Sequence, residues 1–156
     1  MNNTSNSQVK IELIWWLITT LVVVAILLPI YNNVENFPFW LTSIGFIIVF
    51  ITITRYIFLL KFTFLAHWEK AKIVIGVLCI LLIFFIITAL SDYHIFVEEF
   101  GLESLLTEYS LRGQDEMTAY IHLIMTFFGT GALIAAIAFP FRLVISVWRG
   151  RNRGTV

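Results

Sequence analysis

The sequence predicts an all-α integral membrane protein: a four-transmembrane-helix bundle with a short amphipathic extracytoplasmic helix between spans 3 and 4. Three observations predict it. Hydrophobic residues make up 60% of the 156 positions and charged residues 13%, against about 45–50% and about 25% in soluble domains. Four apolar stretches have the length, about 20 residues, that crosses a hydrocarbon core of about 30 Å. The formal net charge is zero, yet acids and bases are sorted along the chain.

Residues 1–10 form a polar N-terminal segment that ends on Lys10. The first span covers residues 11–31. Its apolar run is too long for a signal-peptide core, and no small-residue cleavage site follows. Pro29 lies near its far end, where it is expected to end the helix. The turn that follows leads to a second span over residues 39–60, with Asn36 as a candidate cap and Pro38 as a first-turn proline. The third span covers residues 73–90, the shortest of the four, and holds no charged residue.

Residues 91–119 form a long acidic loop. Leu102, Leu105, Leu106 and Tyr109 follow i, i+3, i+4, i+7 spacing, which predicts the short amphipathic helix. Gly101 marks its start, Gly113 a turn after it, and Asp115 a candidate cap for the next helix. The acidic face of that helix suits the bundle mouth or a partner better than anionic lipid.

The fourth span covers residues 120–148. Small residues mark helix interfaces in lipid, because there close backbone approach holds helices together. Gly129, Ala132 and Ala136 form one small stripe, and Gly131, Ala135 and Ala138 a second. Two stripes predict two close neighbours and a central place in the bundle. Self-dimerisation through Gly131 and Ala135 is the alternative. Pro140 is expected to kink the helix. Residues 149–156 are a basic tail, and Arg149, Arg151 and Arg153 suit anionic lipid or an acidic partner.

Orientation follows from the bases. Nine of the ten basic residues fall on one side, at the two ends, in the loop between spans 2 and 3 or within the adjoining turns of spans 2 and 4 (Arg55, Arg142), and only Arg112 falls on the other. The positive-inside rule then puts both termini in the cytoplasm. A bacterial cytoplasmic membrane is the expected setting. Tyrosines and tryptophans near the span ends agree with the interfacial preference of amphipathic rings.

Arg55 is the most embedded charge, and an intramembrane arginine is a functional candidate with Glu12 and Glu69 as possible partners. No carboxylate falls mid-membrane, which argues against a proton or sodium relay built from this chain alone. His94 and Glu98 share a helical face, and His122 falls at the same depth. Imidazole and carboxylate together can hold a transition metal, and two histidines can hold a haem; neither cofactor is predicted on so sparse a set. The lone Cys79 excludes an intrachain disulfide, and no zinc spacing is present. Nucleotide, hydrolase and nucleic-acid motifs are absent from the sequence.

The expected function is an accessory, scaffold or assembly subunit of a membrane complex, with membrane lipids and either protein partners or further copies of the chain around it. An oligomeric channel or transporter component using Arg55 is one alternative. A metal- or haem-dependent membrane redox protein using the outer histidines is another.

Overall fold

The computed structural model describes residues 2–60, 69–106 and 111–152. Four helices make up almost all of it: α1 (Asn2–Asn33), α2 (Trp40–Leu59), α3 (Glu69–Phe100) and α4 (Leu111–Arg151). Each is long and apolar enough to cross a membrane. A 3₁₀ turn, Leu102–Leu105, lies between α3 and α4.

The helices run up and down. Glu12 in the N-terminal half of α1 meets Arg55 near the end of α2. Lys72 at the start of α3 meets Ser146 near the end of α4. Both termini therefore lie at the same end of the bundle, called here the basic end; the opposite one is the acidic end. α4 packs on α2 and α3, and α1 packs on α2.

The small stripes of α4 explain that arrangement. A Cβ placed on Gly129 would come within 2.5 Å of Leu90 of α3 and 2.9 Å of Phe46 of α2. One on Gly131 would come within 2.9 Å of the Phe50 ring. Ala132, Ala135 and Ala136 are buried, whereas Ala138 is exposed. The Gly131 and Ala135 surface is thus already covered within one chain. α1 turns a stripe inward through Thr19, Leu27 and Ile30. Its opposite face, with Leu13, Leu17, Leu21 and Leu28, is exposed, as a lipid-facing surface would be.

Helix ends depart from the expected ones. α1 does not stop at Pro29 but runs to Asn33. The Asn33 side-chain amide donates to the Pro29 carbonyl at 2.7 Å and holds this last turn together. Asn36 does not cap α2. It adopts a left-handed conformation, φ 56°, which asparagine tolerates better than most residues. α2 starts at Trp40 behind Phe39, with no side-chain cap, so Pro38 precedes the helix.

The amphipathic helix expected in the acidic loop is a 3₁₀ turn of four residues instead. The reason is that α3 continues to Phe100 and takes up the start of the loop. Gly101, at φ 70°, then ends it. Leu102 and Leu106 are buried beneath this turn; Tyr109 lies outside the described residues. α4 starts at Leu111, so Gly113 and Asp115 are neither turn nor cap but lie within the helix. α4 runs through Pro140 as one helix.

Candidate functional site

The basic end is where side-chain chemistry enters the bundle. Arg55, one turn before the end of α2, has a side chain only 6% exposed. Its Nη2 donates to Oε1 of Glu12 at 2.8 Å, a charge-assisted bond between two helices. The guanidinium carbon lies 5.3 Å from the Trp15 ring centre and 5.4 Å from that of Tyr56. Both rings sit within cation–π range. The Nε of Arg55 is buried without a hydrogen-bond partner, so a carboxylate and two aromatic faces carry the compensation for the buried charge.

Two further bases reach between helices. Arg142 of α4 donates from Nε to the Ile57 carbonyl at 3.0 Å. Ile57 lies in the last turn of α2, where the helix dipole is negative. Arg142 therefore acts as a cationic cap for α2. Lys72 of α3 is buried and donates from Nζ to the Ser146 hydroxyl of α4 at 3.2 Å. Arg55 joins α2 to α1, Arg142 joins α4 to α2, and Lys72 joins α3 to α4. Three cations thus stitch the helices in their packing order.

The sequence reading named Arg55 and Glu12 as possible partners and missed the roles of Arg142 and Lys72. A signal for Arg142 existed. It lies six residues before the expected end of span 4, about as deep as Arg55. The side chain of Glu69 lies outside the described residues.

The acidic end is closed by rings. Tyr93 is fully buried, with its ring centre 5.4 Å from that of Phe39. Phe96 stacks edge-on against Phe39 at 5.2 Å. The Tyr93 hydroxyl lies 3.2 Å from Nδ1 of His122. Tyr120 donates to the Ile26 carbonyl of α1 at 2.8 Å. His94 is exposed and bonds through Nδ1 to the Leu90 carbonyl of its own helix at 2.8 Å. That bond requires the proton on Nδ1, because a carbonyl only accepts.

Glu98 lies one turn beyond His94 on α3 and is exposed. Among the described residues, no three histidine, cysteine, aspartate or glutamate side chains gather closely enough to hold a metal ion. His122 is turned to Tyr93 rather than joined with His94 and Glu98 in such a group. Of the tail, Arg149 is exposed at the end of α4. The side chains of Arg151 and Arg153 lie outside the described residues.

Compared with known proteins, the chain matches no family model, no curated protein and no solved structure.

Proposed function

We propose that the chain is an accessory, scaffold or assembly subunit of a membrane-embedded complex, and that its acidic end meets the partner. The observation that supports this most is helix length. α3 has 32 residues and α4 has 41, where about 20 cross a bilayer core. Part of the surplus lies at the acidic end, as a helical hairpin closed by the 3₁₀ turn.

That hairpin has a distinctive surface. Asp92, Glu98, Glu99, Glu103, Asp115 and Glu116 are all exposed on it. Ile95 and Phe100 stand exposed among them. A surface that mixes carboxylates with large apolar side chains suits a protein partner with a basic, partly apolar face. The cations inside the bundle are bonded to other helices of the same chain, which favours a supporting role for Arg55 over a gate. The basic termini then face the cytoplasm, and the hairpin projects from the opposite side of a bacterial cytoplasmic membrane.

The test uses the full chain expressed at native level in its own host, with a photo-crosslinking side chain at position 99. One discrete crosslinked species is expected, together with migration as a larger assembly on native gels. The triple change Glu98→Lys, Glu99→Lys, Glu103→Lys should abolish both and leave helicity intact. A chain that migrates as a monomer and forms no crosslink would overturn the proposal.

A further inference from the structure

The turn between α1 and α2 divides its residues between inside and out. Val34 and Phe37 are buried, while Glu35 and Asn36, between them, are exposed. The Val34 N–H donates to the Ile30 carbonyl at 2.9 Å, which ties the turn to the end of α1. Asn36, at φ 56°, then redirects the chain. Two aromatic residues flank the turn, Tyr31 in the last turn of α1 and Trp40 as the first residue of α2. Their ring centres stand 6.2 Å apart, with the planes at 63°. The buried Phe37 ring braces Trp40 from 5.5 Å away, at 85°.

Tyr31, Val34, Glu35, Asn36 and Trp40 line one hollow of about 560 Å³, within the roughly 300–1,000 Å³ of small-molecule sites. Among the described residues, no hydrogen bond or ion pair engages the Glu35 carboxylate. It brings an uncompensated negative charge to a hollow walled by two aromatic rings and a valine. A phosphate is repelled there. A hard metal ion takes about six or more oxygens, and the lining side chains supply only a carboxylate, a carboxamide and a phenol. A primary ammonium carries three N–H donors that each need an acceptor. A quaternary ammonium has no donor to satisfy. Its charge is spread over methyl groups, and aromatic faces attract it.

We propose that this hollow binds a quaternary ammonium group, its charge beside Glu35 and its methyls against Tyr31 and Trp40. Burial of Val34 and Phe37 holds the turn in place, so the site is formed before the ligand arrives. The proposal stands on the α1–α2 turn alone and is independent of partner docking at the α3–α4 hairpin. Tyr31 and Trp40 fall at span ends, where such rings meet lipid head groups. The ammonium therefore has two sources: the choline head group of a lipid, or a free choline-like solute.

The full chain, carrying 5-fluorotryptophan and purified in a maltoside detergent, reports on the hollow through the fluorine resonance of Trp40, assigned with Trp40→Phe. Choline chloride at constant ionic strength should shift that resonance saturably, and ammonium chloride at the same concentrations should not. Tyr31→Leu should weaken choline binding about two- to fivefold, the loss of one exposed cation–π contact, and Tyr31→Phe should retain it. Glu35→Gln should weaken it by up to about fivefold, as for an exposed ion pair. Tyr31 and Glu35 are both exposed, so helical circular dichroism should stay unchanged. Equal choline midpoints for the parent chain, Tyr31→Leu and Glu35→Gln would overturn the proposal, and so would a response that ammonium reproduces. Nanodiscs separate the two sources. A lipid source puts the Trp40 resonance at its choline-bound position in phosphatidylcholine discs, but not in phosphatidylglycerol discs, before any choline is added. A free solute leaves it alike in both discs and movable only by added choline.

Discussion

The two ends of the bundle close in different ways. At the basic end, cationic side chains cross between helices: Arg55 to Glu12, Arg142 to the Ile57 carbonyl and Lys72 to Ser146. At the acidic end, rings do this work. Phe39, Tyr93 and Phe96 pack edge to face, and the nearby carboxylates point outward. The difference follows from solvation. A charge held among apolar side chains must find its counter-group inside the protein, and so becomes part of the framework. A charge on an exposed surface is satisfied by water and stays available to something outside.

The sharpest way to break this comparison is Glu12→Gln. It leaves the Arg55 guanidinium buried with no carboxylate. Loss of one partner from a buried pair costs about 3–5 kcal/mol; the partial exposure of Glu12, 22%, puts the expectation near about 3 kcal/mol. The check is unfolding in mixed micelles with rising dodecyl sulfate, followed by helical circular dichroism. The double change Glu12→Leu, Arg55→Leu should recover most of the loss, because it removes both charges and keeps apolar volume. If Glu12→Gln were neutral, the Arg55 pair would contribute nothing to the basic end, and packing would hold α1 on α2 there.

Between the two ends the bundle is held by close approach rather than charge, and Gly129→Ala probes that layer. The new methyl would meet Leu90 and Phe46, both buried. Overpacking of this kind costs about 1–3 kcal/mol, and about 2 kcal/mol is expected in the same assay. Gly131→Ala should cost less. Its nearest neighbour is the Phe50 ring, which is half-buried and can turn aside. Equal losses at the two glycines would mean that α2 and α3 grip α4 equally on both stripes.

The readable part of this fold was what depends on the chain in one dimension. The length of an apolar run decides whether a helix can span, and the depth of Arg55 in such a run marked it and Glu12 as partners. Helix ends were harder, because Asn36, Pro38 and Asp115 carry cap chemistry that tertiary packing overrode. The extension of α3 was legible but missed: Tyr93, Phe96, Val97 and Phe100 keep helical spacing past Leu90. The bond from Arg142 to Ile57 could not be read, since a backbone carbonyl has no sequence signature. Nor could the hollow beside Glu35, because the angle at which the Tyr31 and Trp40 rings meet is set by the fold and not by spacing.

The smallest expected effect belongs to the one ion pair found at the acidic end among the described residues. Arg112 Nε and Glu116 Oε1 are 3.4 Å apart on successive turns of α4, with side chains 90% and 74% exposed. Exposed pairs of this type contribute about 0.3–0.5 kcal/mol at most. Arg112→Ala should therefore leave the unfolding curve unchanged within error at physiological salt, where charges more than about 8 Å apart are screened. The pair has the same two functional groups as Arg55 and Glu12. It differs in spanning one turn of a single helix in water rather than joining two helices in apolar surroundings. A loss above about 1 kcal/mol for Arg112→Ala would show that charge also holds the acidic end together. The carboxylates there would then belong to the framework rather than to a docking surface.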